Sequence, residues 1–217
     1  MGKPSPGEVA SLARSLGREL AEPEATRIAA YLEALMKWKD KVNLVSARDW
    51  QDALANLVAD SWHLADFLAG LGLPEQPQCL DLGAGAGLPG LPLRAFWESG
   101  NYVLVEPRGK RVSFMRLALS RMRLARTVVR GCRAEALEPG DLPADLVLSR
   151  AFMPWRELLD FVRPMLVAGG VCVVMSNDDA PDAAELPQGW SLRDRADYPS
   201  GDGRRYFWAL SSDVMAI

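Results

Sequence analysis

Histidine and cysteine are scarce. The 217-residue chain has one His, at position 63, and three Cys, at 79, 132 and 172. There is no C-x-x-C pair and no second His, so the cysteines are not expected to hold a metal or to act in catalysis, and His63 makes no catalytic constellation. The cysteines are odd in number, far apart, and each lies in or beside an apolar run. That pattern predicts reduced, mostly buried thiols in a cytoplasmic protein, not a disulfide framework. Long apolar runs are missing as well. A membrane-spanning helix needs about 20 predominantly apolar residues. The longest uncharged candidate, Pro164–Asn177, is too short and holds Gly169-Gly170. The N-terminal MGKPSPGEVA lacks the apolar core of a signal peptide. No charge sign dominates: 25 Lys+Arg face 28 Asp+Glu, a formal net charge of −3. That balance argues against a protein that coats nucleic acid by overall positive charge.

What is present falls into two rhythms. In residues 8–70, Ile28, Tyr31, Leu32, Leu35, Met36 and Val42 recur at helical spacing, and Leu54, Leu57, Val58, Trp62, Ala65 and Leu68 repeat the pattern. From Gln78 onward the pattern becomes strand, turn, helix. Strands are predicted at Gln78–Leu82, Tyr102–Glu106, Thr127–Arg130, Asp145–Ser149 and Val171–Met175, with helices near 88–98, 109–124 and 154–165. Two further strands, Trp190–Ala196 and Arg204–Leu210, flank a loop at Tyr198–Gly203. Short apolar runs alternating with amphipathic helices predict an α/β fold with a mostly parallel sheet covered on both faces. The Gly- and Pro-rich Gly70–Pro77 junction divides a helical cap, residues 1–72, from a sheet domain, residues 73–217.

The strongest signal is Cys79-Leu-Asp-Leu-Gly-Ala-Gly-Ala-Gly-Leu-Pro-Gly90, which follows a strand and opens a helix. Gly83, Gly85 and Gly87 permit positive φ and close approach of a ligand to the backbone. Two cofactors compete for this loop. Gly85-Ala-Gly87-Leu-Pro-Gly90 fits the dinucleotide fingerprint, with Glu106 about twenty residues on. The longer D-x-G-x-G-x-G string from Asp81 is the form typical of S-adenosylmethionine enzymes. A carboxylate beside the loop suits a sulfonium and an ammonium better than a pyrophosphate. Glu106 can grip the ribose diol of either cofactor, and S-adenosylmethionine is the favoured one. Loop residues Gly83, Ala84 and Gly85, with Glu106, are candidate cofactor contacts.

Charge is unevenly spread. Between Pro107 and Ala134 stand Arg108, Lys110, Arg111, Arg116, Arg121, Arg123, Arg126, Arg130 and Arg133, with no acidic residue. The segment is either an RNA-contacting face, with Lys110 and Arg111 as candidates, or a solvated helix face. Ser149-Arg150-Ala-Phe152 closes the fourth strand above the cofactor crevice. Arg150 could meet the cofactor or an anionic substrate. Phe152 could stack a base, worth about 1–3 kcal/mol in single-stranded recognition, or pack in the core.

Together these residues resemble the RsmG (GidB) family of 16S ribosomal RNA guanine-N7 methyltransferases. The likeness covers roughly residues 28–210. It rests on Lys37-Trp38, Asn43-Leu-Val-Ser46, Asp60-Ser61, Asp81–Pro92, Gly109-Lys-Arg-Val112 and Ser149-Arg-Ala-Phe152. The resemblance implies a Rossmann-like class I methyltransferase with an antiparallel C-terminal strand and an N-terminal helical cap. Its cofactor is S-adenosylmethionine and its partner 16S rRNA or the small ribosomal subunit. It implies cofactor contacts at Gly83, Leu88, Ala134, Glu135 and Arg150, no metal, and no identified catalytic residue. A monomer is the default expectation. The chain departs from the family at three places. The family usually shows Arg-His where this chain has Asn56-Leu57, Lys-Gly where it has Ser176-Asn177, and a second cation where it has Tyr206. The alternative reading is a non-catalytic or substrate-divergent RNA- or ribosome-binding relative of the same fold.

Overall fold

The structure, a computed structural model, describes residues 2–201 and 203–212. Four helices come first: α1 (Pro6–Ser15), α2 (Glu22–Val42), α3 (Trp50–Ala53) and α4 (Ala59–Gly70). Local chemistry sets their limits. Ser5 caps α1, its hydroxyl accepting from the Glu8 N–H at 3.3 Å while the Glu8 carboxylate accepts from the Ser5 N–H at 3.0 Å. Such a reciprocal cap is worth about 1 kcal/mol. Helix α2 ends where Asn43 turns left-handed at φ 49°, a conformation Asn tolerates better than most residues. Between α3 and α4 the chain makes one π-helical turn, Leu54–Val58. Such turns are rare, and they often stand at functional sites.

Seven strands build one sheet: β1 (Gln78–Leu82), β2 (Asn101–Val105), β3 (Thr127–Arg130), β4 (Ala144–Arg150), β5 (Leu166–Ser176), β6 (Trp190–Ser200) and β7 (Gly203–Ser212). Their order is β3-β2-β1-β4-β5-β7-β6. Strands β1 to β5 pair in parallel, and β7 runs antiparallel to both of its neighbours. Strand order reverses at β1, which makes the carboxyl end of β1 the natural ligand crevice. Three helices connect the strands: α5 (Gly90–Phe96), α6 (Gly109–Met122) and α7 (Trp155–Val162).

Side chains alternate across the sheet with period two. Cys79, Tyr102, Leu104, Leu146 and Leu148 pack with α1, α2, α4, α5 and α6 in one buried cluster. Leu80, Leu82, Val103, Val105 and Val147 pack with α7 in a second. The first four helices therefore share their core with one face of the sheet. Cys79 and Cys172 are buried and Cys132 half-buried, and none is in a disulfide. Burial pushes the Cys172 thiol up to about 12. Among the described residues no helix is long and apolar enough to cross a membrane.

Several boundaries differ from the sequence reading, β5 among them, which begins at Leu166 instead of Val171. Helix α5 starts at Gly90, after the Leu88-Pro89 pair, instead of near 88. The last two strands are longer than expected, so Tyr198-Pro-Ser200 is strand, not loop. Pro199 is tolerated because β6 is the edge strand of the sheet, where a missing N–H costs least.

Candidate active site

The glycine loop emerges from β1 at the centre of the sheet. Gly83, Gly85 and Gly87 have φ of 70°, 58° and 70°, left-handed values that glycine adopts at no steric cost. A Cβ on Gly83 would lie 2.7 Å from the Phe152 ring, and one on Gly90 would collide with Asp81 Oδ2. The loop is held on three sides. Gly83 and Ala84 N–H groups both donate to the Val105 carbonyl at 3.0 Å. From the helical cap, the Tyr31 hydroxyl donates to the Ala86 carbonyl at 2.9 Å and the Ser61 hydroxyl to the Pro89 carbonyl at 3.1 Å.

Asp81, the carboxylate the sequence suggested for a cationic cofactor, instead lies beneath the loop. It is buried, accepts from the Tyr102 hydroxyl at 3.1 Å and from the Gly90 N–H, and lines neither cavity described below. Burial raises its carboxyl to about 7. Its place is structural, closing the loop onto α5.

Glu106 directly follows β2. Its Oε1 accepts from the Arg108 N–H at 2.9 Å and its Oε2 from the Gly85 N–H at 3.1 Å. Arg111 Nη1 lies 3.7 Å from the same Oε2, and it is also the atom nearest a Cβ built on Gly85. A buried carboxylate fixed by two backbone donors keeps lone pairs for further hydroxyls.

Two cavities flank the end of β4. The first, about 450 Å³, is lined by Gly83, Arg108, Arg133, Ala134, Glu135 and Phe152, with Val105 and Pro107. The second, about 300 Å³, includes Leu57, Asp60, Arg150, Ala151, Ser176, Asn177, Tyr198, Arg205 and Tyr206. The candidate cofactor residues thus divide. Gly83, Ala134 and Glu135 face the first cavity, and Gly85 is bonded to Glu106 beside it. Ala84 and Leu88 are buried within the loop, where they shape it by packing. Arg150 faces the second cavity. Phe152, a candidate base-stacking residue, lies in the first cavity against Gly83.

The second cavity has a charged wall. Asp60 is 1% exposed. Its Oδ1 accepts from the Tyr198 hydroxyl at 2.8 Å, and its Oδ2 from Arg150 Nη1 at 3.1 Å and from Arg205. Burial and the adjacent carboxylate hold the Tyr198 hydroxyl well above its usual range, so it stays a donor. His63 stacks on the Tyr198 ring at 4.2 Å, and burial lowers its pKa. The three departures singled out in the sequence converge here through Leu57, Ser176-Asn177 and Tyr206. Asn56 does not join them. It is exposed and donates to Asp52 at 2.8 Å. Tyr198 had no signal in the sequence, because its strand reads as a turn-rich loop.

The basic segment is not one face. Arg130 is bidentate to Asp141 at 2.8 and 2.9 Å. Arg121 lies 3.8 Å from Glu33. Arg116 and Arg126 donate to backbone carbonyls, and Arg126 also to Gln76. Arg111 leans on Glu106. Lys110 is exposed at the start of α6 and does not line the first cavity, whereas Arg108 and Arg133 do. Among the described residues there is no group of three or more His, Cys, Asp or Glu that could hold a metal ion.

Comparisons with known proteins agree with this layout. A family model described as GidB, rRNA small subunit methyltransferase G, matches residues 24–194. A relative from Nitratidesulfovibrio vulgaris, called Ribosomal RNA small subunit methyltransferase G, is 52% identical over 96% of this chain and 94% of its own. One of the same name from Oleidesulfovibrio alaskensis is 42% identical over 94% of this chain and 93% of its own. A putative O-methyltransferase from Klebsiella pneumoniae superposes with a TM-score of 0.63 at 13% identity, covering 96% of this chain and 97% of that one. The last likeness is one of fold.

Proposed function

The chain belongs to the GidB family of S-adenosylmethionine-dependent rRNA small subunit methyltransferases, and from that premise we propose that it methylates N7 of a guanine in 16S rRNA. It would do so in the cytoplasm, as a monomer, on rRNA or on the small subunit. The observation that carries this reading is the pair of cavities flanking the end of β4, one beside the glycine loop and one with a cationic wall.

The residues of the first cavity fit the cofactor. Any side chain at Gly83 would fill the space against Phe152, and Glu106, buried and not itself in the lining, is a fixed carboxylate between the lining residues Val105 and Pro107, of a chemistry suited to a ribose diol. Ala134 and Glu135 stand where backbone groups and a carboxylate can meet an adenine, and the Gly83–Gly85 backbone borders the remainder. Arg150 lines the second cavity, two residues before Phe152 of the first. S-adenosylmethionine supplies an electrophilic methyl group on a sulfonium. Guanine N7 has a free lone pair and no proton to lose, so the chain needs to orient the base in line with that methyl group and needs no general base. Bringing the two reactants together in the right orientation accounts for about 7–11 kcal/mol of barrier in well-arranged systems.

The test is methyl transfer from labelled S-adenosylmethionine to 30S subunits and to naked 16S rRNA, with 7-methylguanine mapped by chain cleavage. Transfer to a guanine N7 is expected with at least one of them. No transfer to either, and an unchanged rRNA pattern in cells lacking the gene, would reject the substrate. A second reading, a substrate-divergent or non-catalytic relative, is supported by Leu57 and Ser176-Asn177 lining the second cavity. It would appear as cofactor-independent RNA binding without turnover.

A further inference from the structure

The cluster around Asp60 ties α4 to three strands and gathers more cationic partners than one buried carboxylate needs. A buried aspartate commonly has one cationic partner or a helix end to hold. This one, 1% exposed, takes two arginines and a tyrosine from three segments: the end of β4, β6 and β7. Both arginines keep about three-tenths of their side-chain surface open, 28% for Arg150 and 29% for Arg205. Both line the second cavity.

Two guanidiniums meet one carboxylate, so the wall of the second cavity keeps one net positive charge. Each guanidinium has five N–H donors, and Asp60 uses only a few of the ten. The spare donors sit on planar forks that match an oxyanion in geometry. A methylated guanine is itself cationic, so a positive wall would oppose the product base. The pair is therefore better matched to an anionic group of a reactant than to the reacting ring.

We propose that Asp60 is a positioning residue that aligns Arg150 and Arg205 as a two-guanidinium site for one oxyanion in the second cavity. The oxyanion is either a phosphodiester of the RNA or the carboxylate of the cofactor. Tyr198 locks the unit from behind: its hydroxyl occupies Asp60 Oδ1, leaving Oδ2 to both arginines. Its ring is held by His63 and by Phe207, 5.1 Å away. The proposal rests on the reading that the second cavity lies at the methyl-transfer site. Wild-type methyl transfer tests that reading separately.

Three variants test the proposal: Asp60→Asn, Arg205→Ala and Arg205→Lys. The measurements are melting temperature, calorimetric affinity for S-adenosylmethionine and for its decarboxylated analogue, and RNA affinity from 50 to 300 mM salt. Asp60→Asn and Arg205→Ala are expected to weaken one reactant by roughly tenfold or more and to leave the other within about twofold. Arg205→Lys is expected to recover only part of the loss, because an ammonium cannot replace the fork. Weaker RNA binding, with the log–log salt slope reduced by about one, assigns a phosphate. Weaker binding of S-adenosylmethionine, with binding of the decarboxylated analogue unchanged, assigns the carboxylate. If Asp60→Asn does not fold, Arg205→Ala and Arg205→Lys still decide, since Arg205 stands at the cavity rim. Folded variants that bind both reactants as the wild type does would overturn the proposal.

Discussion

The two cavities at the end of β4 are built in opposite ways. The first is lined by short stretches that follow β1, β2, β3 and β4, with the bare backbone of Gly83 against Phe152 and with Arg108, Arg133 and Glu135 around it. The second is made of large polar side chains drawn from residues 57–60, 150–151, 175–177 and 198–207. One is a shape imposed by the chain's own turns, and the other is a set of interactions between distant segments. The contrast teaches where each is vulnerable: the first to steric change at a single glycine, the second to loss of a shared ion.

Mutations that strike one cavity and spare the other test that contrast. The largest effect is expected from Gly83→Val, which combines a side chain at φ 70° with overlap on the Phe152 ring. Cofactor affinity should fall by two orders of magnitude or about that, with RNA affinity retained. Equal loss of both, by calorimetry and filter binding on a folded variant, would mean the cavities are not separable. Glu106→Gln comes next. It keeps the shape but removes the charge that two backbone N–H groups hold. Cofactor affinity should drop roughly tenfold, without change in the salt slope of RNA binding.

Asp81 sharpens the comparison from beneath the loop. Its carboxyl is raised by burial from 3.8 to about 7. The folded chain therefore holds a proton that the unfolded chain releases above about pH 4. Stability should fall as pH rises from about 4 to about 7 and level off beyond. Melting curves of wild type and Asp81→Asn across that window should diverge most at the alkaline end, with the variant losing less. Parallel curves would show that Asp81 is solvated. The smallest effect is expected from Lys110→Glu, at the exposed start of α6. It should lower RNA affinity a few-fold at low salt and vanish at high salt, with cofactor affinity unaltered.

The same contrast explains what could be read in advance. Gly83–Gly90 and Glu106 were legible because turn chemistry and sequence spacing act locally. The five parallel strands were legible because buried strands are short continuous apolar runs. Asp60 was noticed only through the Asp60-Ser61 pair, and nothing near it in sequence points to Arg150, Tyr198 or Arg205. Tyr198 reads as loop because Pro199 and Gly201 are turn residues by local preference, and the edge position of β6 overrides that preference. The π-helical turn before Ala59 has no pattern of its own. Asp81 was misplaced for a different reason: a strand's alternation says which face a side chain takes, but not whether a loop will cover it. The basic segment looked uniform because its counter-charges, Glu33, Glu106 and Asp141, lie outside it.

The hydrogen bonds from Tyr31 to Ala86 and from Ser61 to Pro89 tie the fates of two parts of the chain. If the cap lets go, the loop loses two of its tethers, so opening of α2 or α4 must draw on the free energy of a bound cofactor. Linkage works in both directions. Saturating S-adenosylmethionine is therefore expected to slow amide hydrogen exchange in α2 and α4, helices bonded to the loop through Tyr31 and Ser61. In that sense the cap is a reporter of occupancy, and Tyr31→Phe should partly silence it.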